Sequence, residues 1–452
     1  MTLETTRIRA LSARVAAREI SAMEVTAHFL DRIGRLDGSL AGMNVVAQER
    51  ALAAARVLDA RIAAGETVGP LAGVPLSIKD IADVAGLPSA GASASRAGRV
   101  AAADAPVVSR MKAAGGIVLG KANCHELAFG GPSFDLPFPP ARNPWDTDRF
   151  PGGSSSGSGV TVAAGLCLGS LATDTAGSIR LPATMCGVFG LKPTRGLLPL
   201  DGISVLAETM DHVGPVARTA DDTRILFDAM ADRPASRPGN GSLKGIRIGI
   251  PRDDWGEGAQ IHPDVRAARD AALALIEAEG GEIHMLDLPP LDDFHTLGTV
   301  VMMAEVAREH AAAVRANWDG FGAIFRARAL VGEAIPPEDY ALAQRLRPVL
   351  TRRLIGDIAG VDALLIPGAM TPPGPLAEMH PFYFMKDPIP NIVANYTSLP
   401  ALAFPAGHTA EGLPVGLQIL GAPGTEHRLL DIAEAFEITD PDRFAARDPG
   451  LA

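Results

Sequence analysis

Residues 151–159 read Pro-Gly-Gly-Ser-Ser-Ser-Gly-Ser-Gly, and residues 173–180 read Thr-Asp-Thr-Ala-Gly-Ser-Ile-Arg. Both stretches combine hydroxyl side chains with small residues, so the backbone can approach a ligand closely and turn several N–H groups toward one point. A third stretch, residues 74–80, reads Val-Pro-Leu-Ser-Ile-Lys-Asp and places Lys79 at the end of an apolar run. A lysine buried in this way tends to lose its proton and become a base. Serine hydroxyls beside a neutral base predict nucleophilic hydrolysis.

The three stretches together resemble the signature of the amidase signature family, a group of serine hydrolases that act on C–N bonds. They occur in the family's order, with the lysine upstream, the glycine- and serine-rich stretch next and the Asp-Thr-x-Gly-Ser-Ile-Arg element last. The resemblance is strong over residues 70–220 and returns over residues 390–440. Further matching positions are residues 120–123, Glu126, residues 142–144, residues 186–194 and residues 412–418.

Short apolar runs alternate with helical patterns along the chain, which predicts an α/β fold with a mixed central β-sheet covered by helices on both faces. We expect a single domain over residues 1–452, because the resemblance resumes after the linker-like residues 231–242. Its parts would be a signature core at about 70–220, a helical insertion at about 255–356 and strands at about 360–440 that complete the sheet. Residues 5–65 look helical. Strands are expected at residues 71–78, 116–120, 168–173, 188–191, 246–250 and 363–366, and a helix at residues 161–166.

Ser178 is the predicted nucleophile, since it follows a turn of small residues after an expected strand. Taken locally, the pattern favours a turn serine that caps a helix beginning near Ile179. The resemblance implies that Lys79 acts as the base through Ser154, which lies on a cis peptide bond in the family, and that Ser155 orients Lys79. Backbone N–H groups of Thr175, Ala176, Gly177 and Ser178 would form the oxyanion hole, while Asp80, Asp174 and Arg180 would hold the shape of the site. Ala176 stands where many members have glycine.

Two alternatives remain open. Residues 153–157 also fit the G-x-S-x-G nucleophile elbow of α/β-hydrolase esterases, with Ser155 as nucleophile, although residues 146–151 are no buried strand leading into it. The family also contains the glutamine-hydrolysing subunit of glutamyl-tRNA amidotransferase. Members of that type carry an acidic residue where Thr425 stands here, while Arg347 matches a possible arginine for the substrate carboxylate.

Aromatic and methionine residues concentrate in residues 370–385, in a chain of which only 5 % is aromatic. In the family this region lies near the mouth of the active site, and such residues form an adaptable apolar wall. A bulky or aryl amide, anilide or carbamate is therefore the expected small-molecule substrate, although the same residues would also suit a surface loop packed on the core. The residues predicted to bind it are Gly130, Gly131, Phe134, Met370, Phe382 and Phe384.

Composition limits the possible partners. A net charge of −11 makes a nucleic acid or an anionic membrane surface a poor partner. The three cysteines, Cys124, Cys167 and Cys186, lack metal-binding spacing and are expected to be reduced thiols. Neither a signal peptide nor a membrane span is apparent, so a cytoplasmic protein is predicted. No metal or cofactor is expected, and the chain would act as a monomer or a homodimer.

Overall fold

A mixed β-sheet runs through this computed structural model, which describes residues 2–252, 255, 261–386 and 389–451. Within those residues the strand order is β1-β3-β2-β4-β6-β5-β10-β11-β9-β7-β8. The strands are β1 (Met43–Val46), β2 (Pro75–Lys79), β3 (Ile117–Ala122), β4 (Gly169–Asp174), β5 (Phe189–Lys192), β6 (His212–Ala217), β7 (Arg247–Pro251), β8 (Glu282–Leu286), β9 (Ala363–Pro367), β10 (Ala401–His408) and β11 (Pro414–Leu420).

Helices make up the largest share of the remaining described residues. Some carry clear start signals: Ser21 and Glu24 form a capping box at the start of α2. The helices are α1 (Ile8–Ala16), α2 (Ala22–Leu40), α3 (Gln48–Ala63), α4 (Pro106–Ala113), α5 (Ser156–Ala163), α6 (Arg180–Cys186), α7 (Ala220–Met230), α8 (Pro263–Ala278), α9 (Leu291–Ala316), α10 (Ala323–Val331), α11 (Pro337–Asp357), α12 (Tyr383–Lys386), α13 (Asn391–Tyr396), α14 (Glu426–Thr439) and α15 (Pro441–Phe444).

The sheet is buried on both faces, as strand β9 illustrates. Ala363 and Leu365 pack into one hydrophobic cluster, which includes residues of α8 and α14. Their neighbours Leu364 and Ile366 pack into a second cluster, which includes residues of α9, α10 and α13. Because successive side chains of a strand point to opposite faces, these two clusters lie on opposite sides of the sheet. The predicted α/β architecture, with helices on both faces, is confirmed.

The parallel pairing of β2 with β4 decides where the chemistry lies. Leu76 pairs with Gly169, and Ile78 pairs with Leu171. Parallel strands end at the same edge of a sheet, so the last residue of β2, Lys79, lies beside the carboxyl end of β4. Two stretches that are almost a hundred residues apart in sequence thereby become neighbours.

Several predicted elements differ in detail from the structure. Strand β1 lies inside residues 5–65, which were expected to be helical. Strand β8 lies inside the expected helical insertion at about 255–356. Residues 256–260 of that insertion lie outside the described part of the chain. The helix expected at residues 161–166 begins earlier, at Ser156, so it grows directly out of the serine-rich stretch. The sheet takes strands from both halves of the chain, since β5 pairs with β10. Among the described helices, none has the length and apolar character that crossing a bilayer requires.

Candidate active site

The side chain of Lys79 lies between two hydroxyls. Its Nζ atom is 2.9 Å from Oγ of Ser154 and 2.7 Å from Oγ1 of Thr173. Lys79 and Ser154 are buried, with exposed fractions of 0 % and 3 %. The lysine lies at the end of strand β2, and the threonine lies on the parallel strand β4. Thr173 was not among the predicted site residues, because a lone threonine at the end of a strand carries no recognisable signal.

Burial determines the protonation state of this lysine. Desolvation lowers the pKa of Lys79 from its ordinary value of 10.5 to about 8, and the nearby acidic groups only partly offset the effect. A buried amine loses much of the hydration that stabilises its charged form, so the neutral form becomes accessible near neutral pH. The Lys79 amine can therefore accept a proton, as a general base must.

The serine-rich stretch crosses the edge of the sheet between Lys79 and the predicted nucleophile. The peptide bond between Gly153 and Ser154 is cis. The Ser155 amide N–H donates to the Ser178 carbonyl at 3.2 Å, which joins this stretch to the following turn. The Ser155 hydroxyl forms no hydrogen bond with Lys79, whose partners are Ser154 and Thr173. The Ser155 hydroxyl instead donates to the Thr173 carbonyl at 3.0 Å, so any orienting effect on the lysine passes through the strand that carries Thr173.

Asp174 shapes the turn that carries Ser178. Its carboxylate accepts hydrogen bonds from the N–H groups of Gly177, at 2.7 Å, and Ile179, at 3.0 Å. The N–H of Gly177 is therefore already engaged, contrary to its predicted place in the oxyanion hole. Gly177 has a φ of +119°, and an added Cβ would lie 2.6 Å from Cβ of Asn391, so only glycine fits there.

Three of the four predicted oxyanion donors remain available. The backbone N–H groups of Thr175, Ala176 and Ser178 donate to none of the described residues. The Thr175 hydroxyl donates to Asp211 at 2.7 Å, which fixes this part of the turn. Ala176 does not adopt a positive φ, so its methyl group introduces no backbone strain. The Ser178 hydroxyl is partly exposed and forms no hydrogen bond with any described residue.

A fully buried ion pair lies beneath the turn. The Arg180 guanidinium binds the Asp174 carboxylate, with Nη2 of Arg180 3.0 Å from Oδ1 of Asp174. It also donates to Oε1 of Gln418 at 2.8 Å and to Oδ1 of Asn395 at 2.7 Å. Burial alone would raise the pKa of Asp174, but the adjacent Arg180 charge holds it well below its ordinary value. The pair therefore stays ionised and ties the turn to β11 and α13.

Asp80, the residue after Lys79, acts on the opposite side of β2. Its carboxylate lies 3.3 Å from Nζ of Lys121 on β3. It also accepts hydrogen bonds from the Asn44 side chain at 3.0 Å and from the Ala92 N–H at 3.1 Å. These contacts hold the carboxyl end of β2 in place, and Asp80 does not line the cavity described next.

Ser154 and Ser178 open into a cavity of about 260 Å³ at the carboxyl edge of the sheet. Its walls are predominantly apolar, and a few polar groups converge on it. The apolar lining includes Phe129, Phe150, Met302, Met370, Tyr383 and Phe384, and the polar lining includes His125, Thr175, Arg328 and Asn391. This arrangement is typical of a small-molecule site.

The predicted substrate-binding residues divide into two groups. Met370 and Phe384 line the cavity. Phe134 is 61 % exposed and lies away from it, so it is not a wall residue. Phe382, Gly130 and Gly131 are also absent from the lining, although Phe129, next to the glycine pair, is part of it. Residues 370–385 thus contribute to the cavity lining and the glycine pair only adjoins it, but the sequence did not show which side chains face inward.

Arg328 on α10 is the charged residue that the sequence analysis missed. Its guanidinium is 2 % exposed, lines the cavity and donates to the carbonyl oxygens of Phe129 and Pro381. It also stacks over the Phe384 ring at 4.8 Å. No carboxylate of the described residues lies within ion-pairing distance of it. Burial lowers the pKa of Arg328 to about 10, which leaves it charged at neutral pH.

The residues that bear on the amidotransferase and esterase alternatives do not line the cavity. Arg347 donates to the carbonyl oxygens of Thr209 and Asn395 and does not line the cavity. The Thr425 hydroxyl donates a hydrogen bond to the Ala422 carbonyl, and Thr425 does not line the cavity either. Ser155, the elbow candidate, is fully buried and faces β4. Within the described part of the chain, no three His, Cys, Asp or Glu side chains are grouped so as to hold a metal ion.

Comparison with known proteins places this geometry in a family. A family model for amidases matches residues 24–430. The chain is 37 % identical to the A subunit of the glutamyl-tRNA(Gln) amidotransferase of Halorhodospira halophila, over 95 % of this chain and 96 % of that protein. Among solved structures, a chain from a vestigial protein complex that reveals the origins of an s-triazine catabolic enzyme matches with a TM-score of 0.88 and 29 % identity. That match covers 98 % of this chain and 100 % of that chain.

The native peptide amidase of Stenotrophomonas maltophilia matches with a TM-score of 0.83 and 27 % identity, covering 98 % of each chain. The resemblance first read from three short stretches thus extends over almost the whole length of the protein, in sequence and in fold. On these grounds the protein belongs to the amidase signature family.

Proposed function

We propose that this protein hydrolyses the C–N bond of an amide through an acyl-enzyme formed on Ser178. The observation that carries the proposal is the buried contact of 2.9 Å between Nζ of Lys79 and Oγ of Ser154, at the base of a cavity that also exposes Ser178. Serine is a weak nucleophile until a neighbouring base removes its proton. A neutral lysine with a hydroxyl relay supplies such a base.

The proposed reaction has two halves. Neutral Lys79 accepts the proton of Ser154 as Ser154 accepts that of Ser178, and Oγ of Ser178 forms a bond to the amide carbonyl carbon. The N–H groups of Thr175, Ala176 and Ser178 stabilise the negative oxygen of the tetrahedral intermediate. When the C–N bond breaks, the proton returns through Ser154 to the departing nitrogen. Water, activated by the same relay, then attacks the ester and releases the acid.

The apolar cavity walls favour a substrate that carries a bulky apolar or aryl acyl group. Phe129, Met302 and Phe384 surround the space in front of Ser178 with few polar atoms. Burying apolar surface contributes about 25 cal/mol per Å², so an aryl amide, anilide or carbamate would gain more from this cavity than a small polar amide. We therefore favour substrates of that class.

A second candidate is hydrolysis of glutamine, as the glutamine-hydrolysing subunit of a glutamyl-tRNA amidotransferase. Curated relatives support it, since several that are 34–37 % identical to this chain are the A subunits of that enzyme. Arg328 also supports it, because a buried guanidinium that has no carboxylate partner among the described residues suits a substrate carboxylate. Against it, Arg347 and Thr425 do not reach the cavity. The esterase alternative with Ser155 has no support, because Ser155 faces away from the cavity.

A substrate panel distinguishes these candidates. The kcat/KM values of the purified chain would be measured on an aryl amide, an anilide, an aryl carbamate, acetamide and L-glutamine, each with Ser178→Ala as the control. We expect Ser178→Ala to lose all turnover and the aryl substrates to exceed glutamine by more than tenfold. A preference for glutamine would support the amidotransferase reading instead. Turnover by Ser178→Ala at more than a few per cent of the wild-type rate would refute the acyl-enzyme.

A further inference from the structure

The His125 imidazole is a polar group in the cavity that the proposed reaction does not use. It is 6 % exposed and lines the cavity, yet neither ring nitrogen bonds to any described residue. Its ring stacks on Phe150, with centroids 6.0 Å apart and an interplanar angle of 23°. Neither nitrogen is among the fully buried side-chain atoms that lack a partner. Since the ring lines the cavity, its nitrogens are free to form a hydrogen bond with a substrate there.

His125 also lies directly against the relay. Its backbone N–H donates to the Ser154 carbonyl at 3.0 Å. Its ring lies over Gly153, so closely that an added Cβ on that glycine would be 2.0 Å from Cε1 of His125 and 2.4 Å from Nε2. The ring therefore flanks the Ser154 side of the cavity, whereas the predicted oxyanion donors lie on the Ser178 turn.

The position of the His125 ring beside Gly153 and Ser154 determines which part of the substrate it contacts. In the proposed reaction Ser154 returns the proton to the departing nitrogen, so that nitrogen must lie within hydrogen-bond reach of Ser154. A side chain packed against Gly153 and Ser154 therefore borders the leaving group, not the acyl group. Burial, reinforced by the charges of Arg328 and Lys79, keeps the pKa of His125 well below its ordinary value. The ring is thus neutral, with one acceptor nitrogen and one N–H donor.

We propose that His125 recognises the leaving group, accepting a hydrogen bond from an N–H on the departing nitrogen. The inference rests on the proposed function and adds a substrate requirement to it: the departing nitrogen carries at least one hydrogen, as in primary and secondary amides. An ester oxygen at the same position has no hydrogen to offer, so His125 favours amides over esters of the same acid.

The test compares a primary amide and a methyl ester of one aryl acid. His125→Phe preserves the stacking on Phe150 but removes both nitrogens. We expect its kcat/KM on the amide to fall about tenfold, which is the effect of one neutral hydrogen bond, while the value on the ester changes less than twofold. His125→Gln, which retains an acceptor, should recover most of the amide activity. If thermal unfolding shows that His125→Phe does not fold, His125→Leu replaces it.

A parallel loss on amide and ester would mean that His125 only packs the cavity wall, and would overturn the inference. Unchanged activity of His125→Phe on the amide would overturn it as well. Ser178→Ala is measured on both substrates in the same series. Residual turnover by that variant would refute the proposed function itself, whereas an inactive Ser178→Ala with an unchanged amide-to-ester ratio in His125→Phe would refute only the role of His125.

Discussion

Oγ1 of Thr173 lies 2.7 Å from Nζ of Lys79, slightly closer than Oγ of Ser154 at 2.9 Å. The lysine amine is thus held by two hydroxyls, one from the neighbouring strand and one from the serine-rich stretch. With both contacts in place, the amine cannot turn away from Ser154 without losing a buried hydrogen bond. We infer that Thr173 positions the base.

Thr173→Val should lower kcat by about 10- to 100-fold with little change in KM, because an unsatisfied buried donor costs about 1–3 kcal/mol. Thr173→Ser should retain most of the activity, since it keeps the hydroxyl. Thr161→Val is the matched control: Thr161 is also buried, but its hydroxyl forms a hydrogen bond with Ser77 and none with Lys79. Steady-state kinetics on one aryl amide would decide, and a wild-type kcat in Thr173→Val would contradict the positioning role.

The pH dependence of activity should follow the lysine. Since only neutral Lys79 can accept a proton, kcat/KM should rise with pH through a midpoint near the lowered pKa of about 8 and level off above it. The measurement is a pH–rate profile between pH 5.5 and about 10, with protein stability checked at each point. A midpoint near 6.5 would indicate a histidine base instead.

The same lysine should impose a pH-dependent cost on stability. Its pKa is about 8 when folded and about 10.5 when unfolded, so below pH 8 its burial costs on the order of 3 kcal/mol. Between these values the unfolded chain binds more protons, and stability rises with pH. Lys79→Met should therefore be inactive. Its free energy of unfolding in urea, relative to that of the wild type, should be higher at pH 7 than at pH 10.5. An equal difference at both pH values would contradict the lowered pKa.

The Asp174–Arg180 ion pair should matter far more than an exposed one. Asp174→Asn and Arg180→Met should each destabilise the fold by about 3–5 kcal/mol, because each leaves a buried partner uncompensated, and the double variant should lose less than the sum. Since the folded-state pKa of Asp174 is lowered, its contribution is present above its unfolded pKa and lost as the pH falls below about 4.

The control for this pair is Arg353→Met. Arg353 pairs with Asp357 on the surface of α11, with its side chain 63 % exposed, and its loss should cost less than about 1 kcal/mol. Urea unfolding of all variants at pH 7 gives the comparison. Additive single losses at the buried pair would show that the two side chains do not act together.

The cavity wall predicts a contrast between two neighbouring phenylalanines. Phe384 lines the cavity and is 7 % exposed, whereas Phe382 is partly exposed and outside the lining. Phe384→Ala should lower kcat/KM on an aryl amide by more than about tenfold while changing acetamide turnover much less, because each buried CH₂ contributes up to about 0.8 kcal/mol. Phe382→Ala should leave both values within about twofold of wild type. Equal effects of the two substitutions would argue against an aryl site at Phe384.

Hydroxyls, glycines and one lysine in a fixed order indicated the family, which is confirmed. They also predicted Lys79, Ser154 and Ser178 as catalytic residues, and the structure places Lys79 beside Ser154 and both serines at one cavity. The alternation of apolar runs and helical patterns indicated the α/β class. The missed strands β1 and β8 are short and mostly half-exposed, so neither has the continuous apolar run that predicts a buried strand.

The sequence by itself determined the kinds of chemical group available and the alternation of elements, because both depend on composition and local spacing. The tertiary structure decided which groups meet. The parallel pairing of β2 with β4 brings Thr173 to Lys79, and the packing of α10 brings Arg328 into the cavity from 150 residues beyond Ser178. It also decided which aromatic side chains face inward, since Phe382 and Phe384 are chemically identical. Only the long-range packing of the loop and helices around them distinguishes a cavity wall from a surface.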